Sequence, residues 1–134
     1  MKINSTSVSA RNYDLLKKSL DASEKRKEVI ANNISNVNTK GYKSHHVTFE
    51  ETLEESKKDI HLLNTNEKHI GNVEKYGEIK VETDESDSMR MDGNNVDIDN
   101  EMANLAANYL KYNALISQVN NRISMTRTVI TGGR

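Results

Sequence analysis

The stretch 98-IDNEMANLAANYLKYNALISQVNNRISMTRTVI-130 carries an unbroken repeat whose spacings alternate between four and three residues. All of its positions except Thr126 are apolar, and the positions are Ile98, Met102, Leu105, Tyr109, Tyr112, Ile116, Val119, Ile123, Thr126 and Ile130. A seven-residue repeat of this length predicts an α-helix whose apolar stripe packs against another long helix. We therefore expect a helix from Ile98 to Ile130, about 50 Å long at about 1.5 Å per residue.

The ends of this predicted helix carry matching signals. Asp97 is a favourable N-cap, and Asp99 and Glu101 place negative charge where the helix dipole is positive. Arg127 suits the opposite end of the dipole, and Gly132 can adopt the left-handed backbone that often stops a helix. These local signals support the same helix bounds as the repeat.

A second repeat of threes and fours lies near the N-terminus. Its positions are Tyr13, Leu16, Leu20, Ser23, Lys27, Ile30, Ile34 and Val37. The pattern predicts a helix over residues 10–37. Two long stripes at opposite ends of one chain can meet as an antiparallel coiled coil with the middle looped out. The expected seam residues are Leu16, Leu20, Ile30, Ile34, Met102, Leu105, Tyr109, Tyr112, Ile116, Val119 and Ile123.

Composition and charge divide the chain into three regions. Only 34% of the 134 residues are hydrophobic, so a large globular core is not expected. The net charge is +5 over residues 1–43, −8 over 44–97 and +2 over 98–134. We predict a mainly α fold with an N-terminal helix and turn over 1–43, a small acidic middle over 44–97 and the C-terminal helix over 98–134, which pairs with 10–37.

The middle region predicts short strands and loops. Polar and apolar residues alternate over 78–83, as in a half-buried strand, and this strand is expected to pair with residues 73–76 across Gly77. A run of four glutamates followed by two lysines favours a short helix over 49–58. The tract 82–87 is acidic and predicts a loop.

No arrangement in the sequence favours a catalytic, cofactor or metal site. There is no cysteine, and no two of the histidines are spaced four apart on a predicted helix. Acidic clusters are usually solvated faces rather than catalytic pairs. We interpret both sets as ordinary surface residues, namely His45, His46, His61 and His69, and Glu50, Glu51, Glu54 and Glu55.

Nucleic acid and membrane binding are not expected either. Lys25, Arg26 and Lys27 are basic, but three successive helix residues point in different directions and no aromatic residue lies among them. No apolar run reaches the length that a membrane-spanning helix needs, and the first thirty residues lack the apolar region of a signal peptide.

The run 31-ANNISNVNTKGYK-43 has four asparagines within eight positions. Asparagine favours helix ends, turns and left-handed backbone. We expect the helix to end at Asn36 or Asn38, and residues 39–42 to form a type II turn with Gly41 at the position of positive φ. A helix end needs fewer amides than this, so we also expect Asn33 and Asn36 to bond backbone groups of a neighbouring subunit.

This run resembles the signature Ala-x-Asn-Ile-x-Asn-x-x-Thr-x-Gly-Tyr of the bacterial flagellar rod, hook and axial protein family. The matching residues, which we take as an assembly signature, are Ala31, Asn33, Ile34, Asn36, Thr39, Gly41 and Tyr42. Many members have proline before the glycine, where this chain has Lys40. Residues 62–69 and 92–101 are further similar to stretches of a proximal rod subunit of that family.

The resemblance implies a structural subunit of the flagellar basal-body proximal rod, needed for flagellum assembly and motility. It also implies export by the flagellar type III route without a cleaved signal peptide. The implied partners are other rod subunits, further copies of this chain, and components of the membrane ring and export gate. The alternatives are another rod or hook subunit, and an unrelated coiled-coil adaptor or export chaperone that would share only the heptads.

Overall fold

Two long helices and two short strands make up the described part of the chain. The computed structural model describes residues 8–50, 53, 77–88 and 90–132. In chain order the elements are α1 (Val8–Ser35), β1 (His45–Thr48), β2 (Lys80–Thr83) and α2 (Ile98–Ile130). The mainly α prediction is confirmed, with a small two-stranded sheet between the helices.

Helix α2 has the bounds that its repeat and caps predict. The Asp97 side chain accepts a hydrogen bond from the Asp99 N–H at 3.0 Å, which satisfies one of the free donors of the first turn. At the other end the Thr131 N–H donates to the Arg127 carbonyl at 2.9 Å, and Gly132 follows with φ of 64°. The helix is 33 residues long.

Helix α1 ends in the asparagine-rich run, as predicted. Its last helical residue is Ser35, and the Asn36 N–H still donates to the Asn32 carbonyl at 3.1 Å. The predicted turn over residues 39–42 is present, because the Tyr42 N–H donates to the Thr39 carbonyl at 3.2 Å and Gly41 has φ of 72°. This turn leads the chain back along α1 into β1.

The two helices lie antiparallel against each other. Near the start of α1, the Arg122 guanidinium lies 5.2 Å from the centre of the Tyr13 ring. Midway, the Asn108 Nδ2 donates to the Ser23 carbonyl at 2.8 Å. Residues further along α1 thus contact residues earlier in α2, so the two helices run in opposite directions, as predicted. A coiled-coil packing of the two stripes stays a prediction.

The small sheet differs from the predicted hairpin. Strand β2 falls within the predicted 78–83 strand, but it pairs antiparallel with β1, so that His45 lies opposite Thr83 and Thr48 lies opposite Lys80. The sequence of β1 is too short to show a clear alternation, so nothing local marked it as the partner. The predicted partner strand at 73–76 and most of the predicted helix at 49–58 lie outside the described residues.

The buried core is small and lies where α1, β1 and the start of α2 meet. Its apolar members are Ala22, Val29, Ile30, Val47, Phe49 and Val96. Several polar side chains are as deeply buried as these, namely Ser23, Asn33, Asn94 and Asn108. Hydrogen bonds therefore hold this region together alongside apolar contact. No helix in the described ranges is long and apolar enough to cross a membrane.

Candidate assembly site

Asn94 joins the loop before α2 to the end of α1. Its side chain is 0% exposed. The Nδ2 lies 2.9, 3.0 and 2.9 Å from the carbonyl oxygens of Asn36, Val37 and Thr39, and the Oδ1 accepts from the Val96 N–H at 2.8 Å. One amide thus serves the carbonyls of the turn that follows α1, which regular helix bonding leaves unpaired.

Arg90 and Asp92 reinforce the same junction. The Arg90 guanidinium donates to the Val37 carbonyl at 3.1 Å and to the Asp92 carboxylate at 2.8 Å, and the Gly41 N–H donates to the Asp92 carbonyl at 2.8 Å. A backbone hydrogen bond from Asn94 and the nearby Arg90 charge hold the pKa of Asp92 below its ordinary value. We call residues 36–41 together with 90–94 the asparagine clasp.

Asn33 attaches strand β1 to α1. Its side chain is 0% exposed; the Nδ2 donates to the His45 carbonyl at 2.8 Å, and the Oδ1 accepts from the His45 N–H at 3.0 Å. The Oδ1 also accepts from the Tyr42 hydroxyl at 3.2 Å, and the amide bonds the Glu101 carboxylate. The side chain pairs with the His45 backbone much as a strand neighbour would.

These contacts correct one expectation from the sequence. We expected Asn33 and Asn36 to bond the backbone of a neighbouring subunit, whereas both bond their own chain: Asn33 bonds His45, and the Asn36 Nδ2 donates to the Asn32 carbonyl at 2.8 Å. For Asn33 the reason is that the turn at 39–42 folds the chain back and brings the His45 backbone within reach. The Asn36 amide instead reaches back one helical turn to Asn32.

The remaining signature residues lie at the surface of the same turn. Ala31, Thr39 and Gly41 are exposed, whereas Ile34 and Tyr42 are half-buried. Burial raises the pKa of the Tyr42 hydroxyl, and the nearby Glu101 charge raises it further. The structure therefore brings Asn33 and Tyr42 together inside the chain, leaves Asn36 half-buried, and leaves three signature positions open to solvent.

The predicted seam residues of α1 lie on its inner side. Ile30 is buried, and Leu16, Leu20 and Ile34 are half-buried. On α2, Leu105, Ile116 and Val119 are half-buried and Tyr112 is 38% exposed. These positions are thus only partly covered within one chain.

The other α2 seam positions, Met102, Tyr109 and Ile123, are more than half exposed. Among the α2 residues that contact α1 are Glu101, Asn108 and Arg122, whose positions differ by seven and fourteen residues. An apolar series with the same seven-residue spacing lies one residue further along α2, rotated by about 100° around the helix axis. We call it the outer column, and it consists of Met102, Tyr109, Ile116, Ile123 and Ile130. Apart from half-buried Ile116, its members are 52%, 66%, 52% and 78% exposed in chain order.

Comparisons with known proteins show the family to which the chain belongs. The family model described as "Flagella basal body rod protein" matches residues 20–43, which hold the second half of α1 and the asparagine-rich turn. The FlgB protein of Bacillus subtilis strain 168, a flagellar basal body rod protein, is 31% identical over 119 residues, which are 89% of this chain and 92% of that protein. The chain belongs to the FlgB family of flagellar basal body rod proteins.

Other FlgB proteins show the same extent of similarity. The FlgB of Borrelia hermsii is 38% identical over 108 residues, covering 74% of this chain and 80% of that protein. The FlgB of Proteus mirabilis strain HI4320 is 30% identical over 132 residues, covering 90% and 94%. The chain is accordingly a structural subunit of the flagellar basal body rod and not an enzyme.

The structure adds functional candidates that sequence reasoning missed. Asn95 is the clearest, since its Oδ1 accepts from the Ser44 N–H at 2.7 Å and its Nδ2 donates to the Asp84 carbonyl at 2.9 Å. With Asn94 it forms the centre of the 92–97 run, which stood out only by its likeness to a rod subunit. Within the ranges described, no three His, Cys, Asp or Glu side chains gather closely enough to hold a metal ion.

Glu50 links three parts of the chain beside the core. Its two carboxylate oxygens accept from Arg26 of α1 and Lys111 of α2, each at 2.7 Å. Burial alone raises the pKa of Glu50, but the bonds from Lys111 and Arg26 outweigh it and lower the pKa from 4.5 to about 2. The carboxylate is therefore charged at neutral pH and joins α2 to α1 electrostatically.

Proposed function

We propose that the chain enters the proximal rod by burying the outer column of α2 against helices of neighbouring rod subunits, including further copies of itself. The observation that carries this proposal is the exposure of large apolar residues at heptad spacing on a helix whose inner side is already occupied by α1. The helix pair over 10–37 and 98–134 is then the assembly unit, and residues 44–97 form a smaller lobe beside it.

The energetics favour a partner for the outer column. A fully buried large apolar side chain contributes roughly 1.5 to 3 kcal/mol relative to an exposed one. Four largely exposed members, each already partly covered, then offer on the order of 4 to 6 kcal/mol per subunit. Association entropy offsets much of this for a single pair. A helical array, in which each subunit has several neighbours, supplies enough contacts to overcome that cost.

The inner side of α2 supports the same division of roles. Of its contacts with α1, those through Glu101, Asn108 and Arg122 are polar or charged. Polar contacts of this kind can fix the register of two helices. The outer column, whose members other than Ile116 are largely exposed, stays available for contacts between subunits.

The place and route of assembly belong to the same proposal. Likeness to the flagellar axial family supports a position in the cell envelope next to the membrane ring and export gate, reached by the flagellar type III path without a cleaved signal peptide. A chain with so small a core can travel loosely folded and bury its stripes on arrival. Incorporation then supports flagellum assembly and motility.

A pair of substitutions on α2 tests the outer column. Ile123→Asp should leave the isolated chain within about 0.5 kcal/mol of the native stability, because the side chain is more than half exposed. It should nevertheless abolish incorporation into basal bodies and motility, because an aspartate in an apolar contact loses its hydration without a partner.

Gln118→Asp is the matched control. Gln118 is exposed on the same helix, on the side away from the outer column. This substitution introduces the same residue as Ile123→Asp, with the same charge and helix propensity, so incorporation and swimming should persist. Normal incorporation of the Ile123 variant, or equal loss in both variants, contradicts an assembly role specific to the outer column.

A further inference from the structure

The helix pair of α1 and α2 consists of two unlike halves. The buried residues of both helices all lie in the half nearer the asparagine clasp, within 22–35 of α1 and 98–108 of α2. We call residues 8–21 and 109–130 the open half, because none of its described side chains is buried. Two helices lie side by side there without a core, so their apolar surface is left for another protein to cover.

A groove of about 430 Å³ lies between the two helices of the open half. The described residues that line this open-half groove are Tyr13 of α1 and, on α2, Arg122, Ile123, Thr126, Arg127 and Ile130. Ile123 and Ile130 also belong to the outer column, and they are 52% and 78% exposed. The groove is therefore continuous with the surface that we propose for assembly.

Positive charge surrounds the open-half groove. Arg122 and Arg127 line it, and none of the described lining residues is acidic. Lys17 and Arg122 both lie over the Tyr13 ring, at 4.6 and 5.2 Å from its centre. Asp14 lies 3.8 Å from Lys17 and offsets one of these charges. Apolar walls between cations fit a partner that is apolar in the middle and acidic at its edges.

The net charge of the open half decides between possible occupants. Residues 109–130 contain three basic and no acidic residues, and residues 8–21 contain three basic and two acidic ones, so the open half carries +4. The open half of a second copy has the same charge, and two such halves repel each other. Residues 1–7 contain one lysine and no acidic residue, so charge does not favour them either.

We propose that the open-half groove receives an amphipathic helix with acidic flanks from a different, neighbouring rod subunit. Its apolar stripe packs on Ile123, Ile130 and the Tyr13 ring, and its aspartate or glutamate side chains face Arg122 and Arg127. Side chains of a third helix fill the groove between two antiparallel helices in the same way in helical bundles. The proposal rests on the proposed burial of the outer column and adds the charge of the partner.

Two synthetic helical peptides test this charge preference on the isolated full-length chain. Both are three heptads long with leucine at the first and fourth positions, and the flanking positions carry glutamate in one peptide and lysine in the other. Fluorescence anisotropy of the labelled peptides measures each Kd. We expect the glutamate peptide to bind at least tenfold more tightly than the lysine peptide. This difference should shrink in about 1 M sodium chloride, because salt screens exposed charges.

Three variants locate the binding site of the peptides. Arg127→Gln removes one charge from the groove and should weaken binding of the glutamate peptide about threefold, as expected for an exposed ion pair. Lys27→Gln is the matched control, because it removes one charge from an exposed position of α1 outside the open half, and it should bind as the native chain does. Ile123→Asp should weaken binding of both peptides at least tenfold.

Three results would overturn the proposal: equal affinity for the two peptides, binding of neither, or no difference between the Arg127 and Lys27 variants. Equal affinity that is lost in Ile123→Asp would leave the burial of the outer column standing and remove only the acidic partner. Analytical ultracentrifugation of the chain alone tests the other occupant. A dimer that Ile123→Asp dissociates would make a second copy the occupant and would also contradict the proposal.

Discussion

Replacing Asn94 with alanine tests the asparagine clasp. The change removes the Nδ2 bonds to the carbonyls of Asn36, Val37 and Thr39 and the Oδ1 bond from the buried Val96 N–H. Thr39 is exposed, so water can replace the bond from Asn94 to its carbonyl, and losing that bond costs little free energy. The Asn36 and Val37 carbonyls keep bonds from the Thr39 N–H and from Arg90, so each costs about 0.5 kcal/mol. With about 1 to 2 kcal/mol for the buried Val96 N–H, the loss is about 2 to 3 kcal/mol.

That loss is large for this chain. A protein of 134 residues with a small core has a free energy of unfolding near the lower end of the usual range, about 7 kcal/mol at about 0.05 kcal/mol per residue. Urea unfolding followed by far-ultraviolet circular dichroism measures the difference. With a slope of about 2 kcal/mol per molar urea, the midpoint should fall by about 1 to 1.5 M.

Two further substitutions complete this test. Asn38→Ala changes an exposed asparagine of the same run and should leave the midpoint within about 0.3 M of the native value. Asn94→Asp keeps the shape but turns the donor into an acceptor that faces three carbonyls, so it should be at least as destabilising as alanine. If Asn94→Ala unfolds at the same urea concentration as Asn38→Ala, the clasp does not hold the end of α1 and this reasoning is wrong.

Two carboxylates should give opposite effects of pH on stability. The pKa of Glu50 is lower in the folded chain than in the unfolded one, so its contribution is present above about pH 4.5 and is lost as the pH falls towards about 2. Glu50→Gln should therefore cost about 1 kcal/mol at pH 7, the value expected for a half-exposed ion-pair network, and much less at pH 2.5 in urea unfolding. Burial, followed by the charge of Asp97, raises the pKa of Glu101, so the stability linked to it is present below its unfolded pKa and is lost as the pH rises through the folded value. Glu101→Gln should then raise the urea midpoint at pH 7 and leave it unchanged at pH 4. A lower midpoint at pH 7 would show that the bond from Asn33 outweighs the cost of burying the charge.

Local signals made α2 predictable from the sequence. Its repeat, the Asp97 cap and the glycine after its end all act within a few residues of the helix, and the structure gives the same bounds. The end of α1 and the turn at Gly41 were predictable for the same reason. Antiparallel pairing also followed, because two long apolar stripes at opposite ends of one chain have few other ways to meet.

The clasp was not predictable because its partners are far apart in the sequence. Asn94 bonds carbonyls 55 to 58 residues away, and nothing near residue 94 indicates that those carbonyls need a donor. The pairing of β1 with β2 has the same origin, since a four-residue strand carries almost no pattern. Counting asparagines did show an excess of amides but could not show that their partners lie in the same chain.

The heptad repeat showed the spacing of the stripe but not which side of it α1 covers. A single chain that buried the whole stripe would place Met102 and Tyr109 against α1. The structure instead places polar Glu101 and Asn108 there. Sequence periodicity cannot distinguish these two arrangements, because both columns repeat with the same spacing of seven residues.

The central claim is that the outer column becomes buried when the chain enters the rod, and thiol labelling measures this directly. The chain has no cysteine, so Met102→Cys introduces a single thiol at an exposed apolar position. Its rate of reaction with a maleimide is compared in the isolated chain and in purified basal bodies, with basal bodies containing the native chain as background. We predict labelling at least tenfold slower in basal bodies than in the isolated chain. Equal rates in the two states would show that the outer column remains in solvent and would contradict the proposed mode of assembly.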